Sequence, residues 1–195
     1  GRLSYNFLEK YIFDAVFRAD GSSNFAKGKR WGYFPSFSAA WIFTEEDFMK
    51  DNDWISFGKL RASWGQNGNQ SISNFIYSSN ISYLPQGYYF GPDKLVTSPT
   101  AIPANVPNPD VTWETSEQLN IGLDARFFKS NLGLSFDYYN KMTKDWLVLA
   151  PILGTAGAGA PYINGGDIKN SGIEFTLNWK GKVSDFIYGA SFSGT

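Results

Sequence analysis

Three carboxylates stand together at Glu45, Glu46 and Asp47, in the stretch TEEDF, and such a cluster is what metal binding or acid–base catalysis would draw on. Carboxylates at the start of a helical turn are also what the helix dipole favours. Thr44 is placed to cap such a turn, with Asp47 reaching back as in a capping box, so the cluster reads as turn chemistry. The glycine-rich run LGTAGAGAPYINGG, beginning at Leu153, invites a phosphate-loop reading. It lacks the Gly-Lys-Ser or Gly-Lys-Thr ending and follows no βαβ pattern. It reads as an extended loop pinned by Pro161 and Tyr162.

The chain has no histidine and no cysteine, which removes imidazole proton shuttles, zinc sites with His or Cys ligands, and disulfides. No catalytic residue, metal ligand or cofactor is assigned, and no enzyme activity is expected. Net charge is -1, so no positive field draws the chain to nucleic acid. What remains is contact chemistry. Tyr83, Tyr88, Tyr89 and Phe90, in NFIYSSNISYLPQGYYF, could stack on sugar faces or peptide side chains; equally they could form the loop's own small core. Asn67, Asn69 and Gln70 offer polar contacts, although Asn-Gly-Asn is also turn chemistry. DGSSN at 20–24 and NPD before Trp113 read as turns.

These side chains need a frame, and alternation supplies it. In LNIGLDARF, Leu119, Ile121, Leu123, Ala125 and Phe127 share one parity, which is a strand with one apolar face. In LGLSFDYY the apolar set is Leu132, Leu134, Phe136 and Tyr138, with the parity switched. A hairpin centred on Lys129 and Ser130 pairs residues whose numbers add to an odd total, so both sets fall on one face. The same test joins Ile173, Phe175, Leu177 and Trp179 to Phe186, Tyr188, Ala190 and Phe192. Near the start, Leu3, Tyr5 and Phe7 meet Tyr11, Phe13, Ala15 and Phe17 across an odd loop that keeps parity. The opposite face carries Asp14, Arg18, Lys59, Arg61, Asp124, Arg126, Asp137 and Glu174, a mixed-sign set suited to a hydrated lumen.

Eight strands follow, at 3–8, 10–20, 31–43, 54–66, 113–127, 131–147, 168–180 and 185–195. Their connections alternate between short and long, with long loops at 21–30, 67–112 and 148–167. An up-and-down meander with every second loop long is the pattern of outer-membrane barrels, with tight periplasmic turns and extended extracellular loops. No apolar run is long enough for a transmembrane helix, and barrel strands never produce one. Both ends of the chain read as cut from something longer.

The tryptophans agree with a membrane wall. Trp31, Trp41, Trp54, Trp64, Trp113, Trp146 and Trp179 all fall near strand ends, and the pairs 31 with 41 and 54 with 64 bracket single strands. A tilted strand crosses the hydrocarbon in about 9 to 11 residues, and indole rings settle at the two interfaces. All seven are expected in membrane-interface girdles. Two other readings stay open: a self-contained eight-stranded outer-membrane barrel with an adhesive or structural role, and a soluble carbohydrate-binding β-sandwich.

The stretches FRADGSSNFAKGKRWGYFPSFSAAW, LRASWGQNGNQ, NPDVTWETSEQLNIGLDARFF, LSFDYYNKMTKDWLV and GGDIKNSGIEFTLNW closely resemble the C-terminal barrel half of SusC/RagA-type TonB-dependent transporters of Bacteroidetes, from about residue 5 to residue 180. The resemblance implies an all-β, antiparallel up-and-down transmembrane β-barrel, of which residues 1–195 are about eight strands of a larger, roughly 22-stranded wall. It implies active import of oligosaccharides or peptides across the bacterial outer membrane with a SusD-like surface lipoprotein, energised by TonB acting on an N-terminal plug. No plug, TonB box or final strand ending in an aromatic residue is present in these 195 residues. TonB would therefore act through the missing N-terminal region.

Overall fold

A computed structural model describes residues 1–50, 52–92 and 96–195. The strands are β1 (Arg2–Phe7), β2 (Tyr11–Gly21), β3 (Trp31–Trp41), β4 (Ile55–Asn69), β5 (Ile81–Phe90), β6 (Val96–Pro103), β7 (Glu114–Phe127), β8 (Leu132–Lys144), β9 (Leu147–Leu149), β10 (Tyr162–Asn164), β11 (Ile168–Val183) and β12 (Phe186–Gly194). Eight of them form one antiparallel sheet in the order β1-β2-β3-β4-β7-β8-β11-β12. Each of these eight lies beside the next of the eight along the chain, which is a meander. Helical structure among the described residues is limited to short 3-10 turns. Among the described residues no helix is long and apolar enough to cross a membrane, which says nothing of a β-barrel.

The register follows from the alternation. Ile121 pairs with Tyr138, Leu123 with Phe136 and Ala125 with Leu134; Leu177 pairs with Phe192 and Trp179 with Ala190. Tyr5 lies opposite Phe13 and Phe7 opposite Tyr11. A slip of one residue would turn each apolar set to the other face. The tight turns need left-handed backbone, and non-glycine residues supply it: Leu8 and Glu9 in the first, and Phe128, Lys129 and Ser130 in the β7–β8 turn, with φ of 53°, 56° and 69°.

The sheet is open, with β1 and β12 at its edges and unpaired with one another. That is not a self-closed eight-stranded barrel. Nor is it a sandwich, which would pack a second sheet against the apolar face.

Some local expectations are corrected. Asn67, Gly68 and Asn69 do not turn; they continue β4 in register with Ser116, Thr115 and Glu114. The strand expected at 131–147 stops at Lys144, because Asp145 takes a φ of 55°. The chain resumes as β9, which pairs with β10. The connection between β4 and β7 holds its own antiparallel ribbon, β5 with β6. Thr44 caps no helix. Its Oγ1 accepts the Gly58 N–H at 3.1 Å and donates to the Gly58 carbonyl at 3.4 Å, which leaves two 3-10 turns without side-chain caps.

A buried core sits at the long-loop end. Phe25, Phe34, Ile72, Ile76, Val111 and Trp113 pack together, with Leu147 and Tyr162 against them. Polar straps close the cluster from outside. Asn164 accepts the Thr112 N–H at 2.9 Å and donates to the carbonyls of Thr112 and Asp145. Lys29 and Asp110 form an ion pair at 2.6 Å. The NPD segment is an Asx turn, with Asn108 Oδ1 accepting the Asp110 N–H at 3.0 Å.

Candidate functional site

On the polar face, Arg61 of β4 reaches across β7 to two carboxylates. Its Nε donates to Asp124 Oδ2 at 3.0 Å and its Nη2 to Asp137 Oδ2 at 2.7 Å. Gly122 lies between them in register, and a Cβ there would come within 2.6 Å of Asp137 Oδ1 and 2.7 Å of the guanidinium carbon. The missing side chain is what lets one arginine bridge three strands. Ser135 donates to Asp124 Oδ1 at 2.8 Å, and Lys59 stands 3.8 Å from the same residue. Further along the same face, Arg2 and Ser4 both donate to Asp14, and Arg18 pairs with Asp20 at 2.8 Å. Arg126 lies over the Phe57 ring.

Between these ion pairs runs a neutral lane. Gln118 donates to Asn120 Oδ1 at 2.9 Å, and Ser36, Ser38, Ser63 and Asn67 line the adjoining open hollow of about 400 Å³. A second polar hollow brings Glu174 and Lys141 beside Arg61 and Asp137. The two carboxylates are held by one guanidinium, and Ser135 donates to one of them. The lane offers hydrogen-bonding side chains to water or a polar solute.

The other face is apolar and ends in two polar clasps. At the short-turn end, Glu46 accepts the Tyr11 hydroxyl at 2.6 Å, the Trp41 indole N–H at 3.2 Å and the Lys10 ammonium at 3.2 Å. At the long-loop end, Glu117 accepts the Trp64 indole N–H at 3.0 Å, Gln66 at 3.4 Å and Lys144 at 2.8 Å. Sequence reasoning missed both roles. A glutamate at the parity of Leu119 and Ile121 was the available signal for Glu117.

Six tryptophans sort by end. Trp31, Trp64 and Trp146 lie toward the long loops, and Trp41, Trp54 and Trp179 toward the short turns. Trp113 departs from the expectation of a girdle. It is 9% exposed, 5.2 Å from the Phe25 ring and edge-on to Phe34 at 5.4 Å, and its N–H donates to the Arg30 carbonyl at 3.1 Å. It precedes β7 and turns inward, because the long connections need an apolar centre to close upon.

At the rim, Tyr83 is 78% exposed, and Tyr88, Tyr89 and Phe90 are also open. They stand on β5 and do not belong to the loop core. Asn67 is exposed on the polar face. Asn69 is structural: it donates to Glu114 at 3.1 Å and accepts the Ser71 N–H at 3.0 Å. Gln70 takes part through its carbonyl, which accepts from Asn24 at 3.3 Å.

An antiparallel meander with one charged, hydrated face, one apolar face and all its long connections at one rim is a segment of a barrel wall. Residues 1–195 match the family described as TonB dependent receptor-like, beta-barrel, and the chain belongs to it. It is 37% identical over 99% of its length to TonB-dependent receptor P3 of Formosa agariphila, and 36% identical over 100% to TonB-dependent receptor SusC of Bacteroides thetaiotaomicron. It spans 19% and 20% of those relatives. Among solved structures it resembles the RagAB peptide importer in the closed-closed state, with a TM-score of 0.82 at 25% identity, covering 98% of this chain and 21% of that one.

The Glu46 clasp makes stability depend on pH. The hydrogen bond from Tyr11, then those from Trp41 and Lys10, hold its carboxyl below the usual carboxylate range. A lowered folded value means that the contribution is fully present above the ordinary value and is lost as the pH falls through the folded one. Glu46→Gln in the full-length protein is therefore expected to melt earlier than the parent at neutral pH. That gap should close in acid; a gap unchanged down to pH 3 would show that the charge plays no part.

Proposed function

We propose that this chain is barrel wall and rim of an outer-membrane, TonB-dependent importer of oligosaccharides or peptides that works with a SusD-like surface lipoprotein. The observation that carries the reading is the partition of one sheet into two faces, with tryptophans toward both ends of the apolar one. On this reading the apolar face meets lipid and six tryptophans lie at the two interfaces. The polar face lines the lumen, and the long loops are extracellular. TonB acts through a plug supplied by the N-terminal region of the whole protein.

Cargo or lid contact falls to Tyr83, Tyr88, Tyr89 and Phe90 on the exposed ribbon, with Asn67 as a lumenal polar contact. Asn69 and Gln70 support the same rim from within the loop. TonB-dependent receptor SusC and the RagAB peptide importer favour an import role, the second with peptide as cargo, while oligosaccharide rests on the resemblance of the sequence.

The test is transport by the full-length protein with Tyr83, Tyr88, Tyr89 and Phe90 all changed to serine. Growth on oligosaccharide or peptide as sole nutrient is expected to fall while the heat-modifiable barrel band on gels persists. Uptake at the parental rate would remove the ribbon from the contact surface. Uptake unaffected by loss of TonB would overturn the importer itself.

A further inference from the structure

The apolar face is not uniform. Two hollows, of about 350 and 300 Å³, open on it and share Phe13, Ala39 and Ala62, so they form one groove across β1 to β4 and β7. Ala39 pairs with Phe13 on one side and with Ala62 on the other, and these short side chains make the floor. Tyr5 and Phe13 wall one flank. Phe37 and Trp64 close the upper part, stacked 6.2 Å apart at 11°. Farther along the sheet, Leu123, Phe136 and Phe175 stand side by side in register, a ridge where the groove stops.

Tyr11 and Trp41 line its lower mouth, both hydrogen-bonded to Glu46 beside Lys10. The ammonium has three N–H donors, and one goes to Glu46. A ligand matching this profile is long and apolar, with an oxygen-bearing end at the remaining donors of Lys10, since the Tyr11 and Trp41 hydrogens are both given to Glu46.

We propose that the groove binds one acyl chain of a membrane phospholipid, with its phosphate at Lys10. This rests on the reading of the apolar face as membrane-facing. The groove is continuous with that face and lies between the two indole-bearing clasps, where acyl chains are the surrounding medium. A second copy of the sheet is a poorer occupant. Two such faces in contact would leave both hollows empty and forfeit their dispersion contacts, whereas a flexible chain fills them.

The test uses the full-length protein in vesicles of phosphatidylethanolamine carrying a diazirine on one acyl chain, irradiated and mapped by peptide mass spectrometry. Label is expected several-fold more often on residues 3–15, 37–41 and 60–64 than on 132–138 and 173–179. Ala39→Phe, or the milder Ala62→Leu, should abolish that excess without changing the label on the ridge. Equal labelling along the whole face would overturn the groove while leaving the membrane wall intact. Crosslinks between two copies through Tyr5 or Phe37 would overturn it in favour of a protein neighbour. No label on either region would overturn the membrane reading itself.

Discussion

With Trp113 replaced by alanine, the long-loop end is expected to lose about 3–5 kcal/mol, the range for removing a large buried aromatic side chain. Trp113 is the contact shared by Phe25 and Phe34, and its indole N–H also holds the Arg30 carbonyl. Deleting it opens a cavity and leaves that carbonyl without its donor. Hydrogen exchange in the full-length protein reads the result. Amides of residues 22–30 and 104–112 should lose protection, and trypsin should cut at Lys27, Lys29 and Arg30, while the middle of β7 and β8 stays protected. Trp54→Ala is the control, since that ring is 72% exposed. Equal effects from the two would mean that the buried cluster does not hold the loops.

The second large effect separates lipid from water. Ile121 stands 48% exposed on the apolar face, paired with Ala62 and Tyr138. An exposed isoleucine in water tolerates arginine within about 0.5 kcal/mol. On the lipid face of a barrel, arginine near the midplane costs about 2–4 kcal/mol. Ile121→Arg is therefore expected to lower the urea midpoint of the full-length protein refolded in lipid vesicles, and Gln118→Arg on the polar face to change it little. A small effect at both positions would place Ile121 in water.

How much of this could be read from the sequence depends on where a strand lends its period to its residues. Within strands the reading was strong: Leu119 to Phe127 and Leu132 to Tyr138 share a face because their parity and their four-residue turn allow only that register. Beyond a strand end, parity places nothing. Trp113 has the parity of Leu119, yet β7 begins at Glu114, and the ring swings to the opposite side. The loop core did leave a trace in Phe34, a bulky apolar residue at a lumenal parity in β3. Its partners Phe25 and Val111 belong to no strand, so only tertiary packing brings them together. The β5–β6 ribbon was hidden by Pro85, Gly87 and Pro99, residues that usually argue against a strand; the register shifts between Leu84 and Tyr88 to accommodate the first two. Thr44 failed as a cap because the Gly58 N–H and carbonyl engage its hydroxyl, while the neighbouring Phe43 ring occupies the space a Gly58 side chain would take.

Every long connection leaves the sheet at one rim, and this asymmetry separates what can vary from what cannot. Closing the segment 70–113 in place of the turn 128–131 is roughly a tenfold lengthening, which by loop-closure entropy costs only about 2 kcal/mol. The sheet, by contrast, takes an extra residue only as a bulge, as where the β4–β7 register shifts between Ile55 and Phe57; elsewhere it would invert the strand beyond. A protein built this way can exchange one rim loop for another, ribbon and aromatic tip included, while the wall keeps its register. New cargo preferences then become a matter of swapping modules on a fixed chassis, and the β5–β6 arm is the part most readily transplanted.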